Sequence, residues 1–181
     1  AEHVIEEIKS MNVKGGSPFG RAAAWAFRLA CEQEEFQDTG QLQKRMEHIA
    51  QQMLDLKPTM ATIFNTWQLV KQTMLKENQD VYRQKQAVIS LCSNIIAYSF
   101  EAVEQLGVYG ASLIQDEEVI MMHSYSSTLM GIFLKAAEMG RKFTVICTES
   151  RPLRESRLAV NMLRSAGVSV IYITDASIYE F

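Results

Sequence analysis

Little in this sequence marks a special environment. Cysteine occurs only three times in 181 residues, as Cys31, Cys92 and Cys147. The odd count and wide spacing exclude a disulfide framework and fit no zinc motif, which reads as a reducing cytoplasm. No run of consecutive apolar residues approaches the ~20 that a membrane span needs. The start, Ala1-Glu2-His3-Val4, lacks the basic and apolar regions of a signal peptide, so none is expected. An excess of one charge is missing too: 18 Lys and Arg against 21 Asp and Glu leave a net charge of −3. That balance gives no pull toward nucleic acid or an anionic membrane. No repeat or low-complexity segment is visible. The ten methionines follow helical stripes, so they are core filler and not a cofactor box. Neither a metal nor a cofactor is expected.

What is present is apolar material, 48% of residues, enough for a substantial core. Residues 1–112 show helical periodicity and little else. Val4, Ile5, Ile8 and Met11 mark a short first helix. Ser17-Pro18 predicts an N-cap with proline at the first position of a second helix, where Phe19, Ala23, Ala26, Leu29 and Ala30 share one side. Gly40 after Asp38-Thr39 predicts a break. Leu42, Met46, Ile49 and Met53 then give a third amphipathic helix. Lys57-Pro58 starts a fourth, since proline belongs in a first turn; its stripe is Met60, Ile63, Phe64, Trp67, Val70 and Met74. A polar break over Asn78–Asp80 leads into a long fifth helix with Asp80 as its cap. Its apolar face runs from Val88 through Leu91, Cys92, Ile95, Ile96, Phe100 and Val103 to Leu106, and Gly107 and Gly110 are expected to end it. The expectation is a helical domain over 1–112.

The pattern changes over Val119 to Asp175. Three short apolar strands, Val119–Met122, Phe143–Cys147 and Val168–Ile173, alternate with helical segments over Thr128–Met139 and Glu155–Ala166. Each helix closes at a glycine, Gly140 and Gly167. The alternation predicts a parallel sheet. The fold class is therefore α+β to α/β: a helical bundle over 1–112, then a Rossmann-like sheet over 113–181 that is expected to be the first part of a larger one. Three parallel strands are few, and both faces of such sheets are normally covered.

In open parallel sheets, ligands bind beyond the carboxyl ends of the strands. Ser124-Tyr125-Ser126-Ser127 lies there, just before a helix whose free N–H groups favour phosphate; the same hydroxyls can serve as simple caps. Glu149-Ser150-Arg151-Pro152 follows the second strand, and the arginine offers forked donors to an anion. Arg154 and Arg157 follow closely. This basic cluster opposes the dipole at a helix N-terminus, which favours an anion site over a solvated helix start. Lys14-Gly15-Gly16 would let backbone approach a phosphate, but by itself it reads as a flexible connector. His123 is expected to be a hydrogen-bonded structural histidine. On the strand it is expected to point to the opposite face from Ser124. Asp175 either orients a ribose hydroxyl or caps the next element.

His123-Ser124-Tyr125-Ser126, then Thr148-Glu149-Ser150-Arg151-Pro152, then Ile173-Thr174-Asp175-Ala176 together resemble the superfamily of translation initiation factor 2B alpha, beta and delta subunits. Ribose-1,5-bisphosphate isomerase and methylthioribose-1-phosphate isomerase are its enzymes. The resemblance extends back through Lys14-Gly15-Gly16 and Lys57-Pro58-Thr59. It implies a helical N-terminal domain and a Rossmann-like domain that self-associates, alone or with related regulatory subunits. It also implies a phosphorylated sugar or nucleotide as ligand, with Lys14, Gly15, Gly16, Lys57, Ser126, Ser127 and Arg151 around it. The enzymes carry a catalytic cysteine at the position of Ser124, and their aspartate partner would fall after Phe181. They also carry arginine at Lys14 and Lys57, and a Gln-Gly pair at Glu155-Ser156. A serine hydroxyl is far less acidic than a thiol and needs a base beside it. The expectation is a phosphate-binding, assembling protein without turnover; the alternative is an aldose-ketose isomerase using Ser124.

Overall fold

A computed structural model describes residues 1–77 and 80–181. The first two positions of the expected break at 78–80 lie outside these residues. The chain forms two compact units, Ala1–Phe100 and Glu101–Phe181.

The first unit contains α1 (Glu2–Lys9), α2 (Gly16–Gln33), α3 (Thr39–Leu56), α4 (Ala61–Lys76) and the first part of α5 (Val81–Leu113). Its core is built from Ile8, Phe27, Leu42, Met46, Ile49, Met53, Ile63 and Val70, all fully buried. The α3 stripe read from the spacing is therefore the observed one. Three helix starts differ from expectation. Gly15, at φ 89°, is the N-cap of α2, so Pro18 falls within the first turn, where a missing N–H costs nothing. Gly40 does not break the chain but sits in the first turn of α3, because the Asp38 carboxylate accepts the Gln41 N–H at 2.8 Å and caps the helix one residue earlier. Pro58 lies in a turn before α4 and does not open it. Phe64, Phe100 and Leu106 are exposed instead of buried. Asp80 accepts the Arg83 N–H at 2.9 Å, the cap expected for α5.

In the second unit, the remainder of α5 is followed by β1 (Val119–Met122), α6 (Ser127–Glu138), β2 (Thr144–Thr148), α7 (Ser156–Ser165), β3 (Ser169–Ile173) and a 3₁₀ turn over Asp175–Glu180. The strands are parallel in the order β1-β2-β3, with Val119 opposite Thr144 and Thr144 opposite Ser169. Met122, Val145 and Cys147 pack with Met130, Phe133 and Ala136 of α6 and with Ala159, Val160 and Leu163 of α7. Val119, Met121 and Ile171 alternate with these residues along the strands and remain exposed. Gly140 and Gly167 take φ of 80° and 78° just past α6 and α7, as helix-ending glycines should.

Gly107 and Gly110 do not end α5, which continues to Leu113. A Cβ at Gly107 would stand 3.3 Å from the Gly131 carbonyl oxygen of α6, and one at Gly110 would stand 2.5 to 2.8 Å from three side-chain carbons of Ile132. These glycines permit close helix packing. The same contacts, with buried Ala111 and Ile114, put the last turns of α5 in the second compact unit. By length and composition α5 is also apolar enough to cross a membrane, which corrects the expectation that no segment reaches that measure. Uncharged Ser90, Ser93 and Asn94 interrupt the apolar run without adding charge. Only 17% of that apolar window is buried, with Val88 and Cys92 of α5 fully buried in the bundle.

Replacing Gly110 by alanine tests the close packing. Helix propensity alone would favour the change by about 1 kcal/mol, while overpacking costs about 1–3 kcal/mol. The β-branched Ile132 side chain must move as a whole, so a net loss is expected as a lower thermal midpoint. Adding Ile132→Ala should reverse the sign of the Gly110→Ala effect. A Gly110→Ala chain as stable as the parent would show that Ile132 yields freely.

Candidate functional site

β2 and β3 end level at Thr148 and Ile173, β1 stops one pair earlier at Met122, and residues following all three strands line one cavity. β1 stops at Met122, and Ser124 turns into the left-handed region at φ 65°. Beyond β2, Ser150 (φ 55°) and Arg154 (φ 53°) do the same. Such conformations are uncommon away from glycine and persist only where surrounding contacts enforce them. At β2 those contacts come from the next strand. Both oxygens of the Asp175 carboxylate accept backbone N–H groups, from Ser150 at 2.8 Å and Arg151 at 2.9 Å. These bonds hold the Asp175 carboxyl below its ordinary range. Asp175 thus neither caps its own turn nor offers both oxygens to a ligand; it braces the neighbouring loop.

His123, Ser124, Ser150, Arg151, Pro152, Leu153, Glu155 and Asp175 line a cavity of about 210 Å³. His123 Nδ1 lies 2.8 Å from Thr148 Oγ1. Thr148 Oγ1 lies 3.5 Å from Ser150 Oγ, which lies 3.0 Å from Ser156 Oγ. Thr148 and Ser156 are fully buried, so these hydroxyls satisfy one another. Arg151 Nε donates to Glu149 Oε1 at 2.6 Å, which raises the arginine further above its usual range. Arg154 Nε stands 3.6 Å from the other Glu149 oxygen. The basic cluster is therefore partly neutralised by a largely buried glutamate, not simply solvated. The Arg151 pair runs through Nε, and the two Nη groups of the fork are not engaged in it.

Of the residues singled out in the sequence, Ser124 and Arg151 meet at this cavity. Ser126 and Ser127 do not line it: Ser126 Oγ accepts the Leu129 N–H at 3.3 Å and caps α6. Lys14, Gly15, Gly16 and Lys57 belong to the first unit. There Lys14 is exposed, Gly15 caps α2 and Gly16 begins it. Lys57 lies 5.8 Å from the Phe19 ring centroid and meets Met11 Sδ. The expectation that His123 and Ser124 face opposite sides fails, because β1 ends before them and strand alternation no longer applies. As expected, His123 is hydrogen-bonded. Thr148, Ser150 and Glu155 were not singled out individually; the signal was their place at a strand end. Burial pushes the Cys147 thiol up to about 11, and Cys31 and Cys92 up to about 12, so none is poised as a nucleophile.

The model of the initiation factor 2 subunit family matches residues 12–181. The chain belongs to that family. It is 28% identical over 177 residues to a ribose 1,5-bisphosphate isomerase of Thermococcus kodakarensis, covering 96% of this chain and 55% of the relative. It is 30% identical over 179 residues to the Archaeoglobus fulgidus enzyme of the same name, covering 97% and 54%. Among solved structures, the Pyrococcus horikoshii translation initiation factor eIF-2B superposes with a TM-score of 0.84 at 28% identity, covering 99% of this chain and 61% of that one. The fold is likewise that of the 5-methylthioribose 1-phosphate isomerase of P. horikoshii, with a TM-score of 0.81 at 22% identity, covering 98% and 52%. The chain spans about half the length of the curated relatives it matches.

The Asp175 brace is open to direct test. Asp175→Ala should speed hydrogen exchange of the Ser150 and Arg151 amides by at least about tenfold, the scale of one lost net hydrogen bond. A carboxyl depressed by folding stabilises the native state above its unfolded pKa near 3.8, and that contribution disappears as pH falls through the lower folded value. Acid unfolding of Asp175→Ala should therefore be shallower than that of the parent. Equal protection and equal acid profiles would remove Asp175 from this role.

Proposed function

We propose that this chain of the initiation factor 2 subunit family binds a phosphorylated sugar or nucleotide at the carboxyl ends of β1, β2 and β3, and does not turn it over. The observation supporting this reading is that all three strand ends border one cavity that includes Arg151. The Nη groups of Arg151 suit a phosphate oxygen pair, which guanidinium recognises in a forked geometry. Curated relatives across nearly the whole chain carry the name ribose 1,5-bisphosphate isomerase, so a pentose phosphate is the ligand class of choice. The family resemblance adds Ser126 and Ser127 to the binding set, and for Ser126 that requires sharing its cap bond; Lys14, Gly15, Gly16 and Lys57, which the same resemblance implies, belong to the first unit. Self-association, or pairing with related subunits, belongs to the same proposal and is supported by exposed Val119, Met121 and Ile171 on the sheet. A cytoplasmic setting is supported by three free, buried thiols.

Absence of turnover follows from Ser124 standing where the resemblance places the enzymes' cysteine. A serine needs an adjacent base to exchange protons near neutrality. One observation favours the alternative, an aldose-ketose isomerase acting on a ribose 1-phosphate: His123 lines the same cavity as Ser124.

Replacing Arg151 by alanine should weaken calorimetric binding of ribose 1,5-bisphosphate about ten- to a hundredfold, the range for a charged hydrogen bond. Unchanged affinity would contradict the proposal. In the same samples, NMR should detect no ribulose 1,5-bisphosphate; its steady formation by the parent chain would establish the isomerase.

A further inference from the structure

A second cavity lies within the first unit, in the groove between α3 and α4. Its volume is about 390 Å³, a size typical of sites for small molecules. Glu47, Ala50, Gln51 and Leu54 recur at helical spacing along one face of α3, and Trp67 and Lys71, one turn apart, supply the α4 side. The apolar part is held rigidly. Ala50 is buried, and Trp67 stacks on the fully buried Phe27, with ring centroids 5.8 Å apart and planes inclined by 27°. Glu47 and Lys71 are exposed. Both line the cavity, yet neither makes an ion pair or a side-chain hydrogen bond with any described residue, the other included. Gln51 differs, because its Nε2 donates to Asp55 Oδ1 at 2.6 Å. A carboxylate and an ammonium too far apart to pair thus border one partly apolar space from two different helices.

We propose that the α3–α4 cavity binds a small zwitterion, a free α-amino acid with an apolar side chain. Its carboxylate meets the Lys71 ammonium, its ammonium meets the Glu47 carboxylate, and its side chain covers Trp67, Leu54 and Ala50. Charge selects this class. A ligand with only a negative charge meets a like charge at Glu47, and one with only a positive charge does so at Lys71; a zwitterion is attracted by both. Both charged groups of an α-amino acid flank one carbon, so its side chain leaves in a third direction and is free to reach the indole. A residue inside a peptide chain carries neither charge and is not a ligand. Exposed ion pairs contribute little each, so the complex is weak and exchanges readily, with apolar contact adding to the two pairs. The proposal does not rest on the phosphosugar reading.

Titrating the whole chain with L-phenylalanine tests this, with the Trp67 indole N–H as the NMR reporter. The chain has only Trp25 and Trp67, so Trp25→Phe assigns the two signals. The expected result is a saturable shift of Trp67 and none of Trp25 at millimolar phenylalanine. 3-Phenylpropanoate and 2-phenylethylamine, each lacking one charge, should bind about three- to fivefold more weakly, the scale of one exposed ion pair. Glu47→Gln and Lys71→Gln should each weaken phenylalanine by the same factor. Exchanging the charges, Glu47→Lys together with Lys71→Glu, should restore the parent affinity to within about twofold, because a zwitterion can bind turned end for end. A double variant no better than either single one overturns the proposal, as does an analogue that binds as tightly as phenylalanine. His48 also lines the cavity; a larger loss from His48→Ala than from Lys71→Gln would overturn the role given to Lys71. Absence of any saturable Trp67 shift overturns the site itself.

Discussion

The Asp175 carboxylate joins the end of β3 to the loop after β2 by two backbone hydrogen bonds, and the geometry of the cavity depends on that bridge. Backbone amides cannot be repositioned by rotamer changes. Tying two consecutive amides to one carboxylate therefore fixes the path of the chain between Thr148 and Arg151. Once that path is set, Ser150 is held in its left-handed conformation and its hydroxyl reaches Ser156 at the start of α7. Thr148 is left with its hydroxyl against His123 from the loop after β1. One anionic side chain thus coordinates three strand ends that are distant in sequence.

Charge is arranged economically around this bridge. Glu149 is largely buried and faces two arginines, Arg151 and Arg154. The arrangement orients the Arg151 guanidinium while lowering the net positive field of the loop. A strongly cationic pocket would bind any anion. The pairing with Glu149 leaves a single oriented fork beside the imidazole of His123.

Much of the architecture was legible in the residues. The period-four and period-three spacing of Leu42, Met46, Ile49 and Met53, and the short apolar runs closed by Gly140 and Gly167, identify a helical part and a parallel sheet because burial forces those periods. Local signals were ambiguous where one residue type serves two purposes. Gly107 and Gly110 read as stops but serve close helix contact, a distinction set by Ile132 and Gly131 some twenty residues later. Gly40 read as a break but follows a strong Asp38 cap. At the site, Ser124 and Arg151 were found because strand ends are where such sheets hold ligands. The shared cavity position of His123 was missed because it depends on where β1 stops. The bracing role of Asp175 was missed because its partners are backbone groups that carry no sequence signature.

Family membership explains why a helical unit and a three-stranded parallel unit occur in one chain, and relatives with isomerase and initiation factor names frame the choice of ligand. The central claim is narrower: the loops after β1, β2 and β3 act as one binding site. Titrating the isotope-labelled chain with ribose 5-phosphate and following backbone amide shifts tests it most directly. The account predicts that Ser124, Ser150, Arg151 and Asp175 shift together along a single saturation curve. Shifts confined to one of these loops, or separate curves for Ser124 and Arg151, would contradict it.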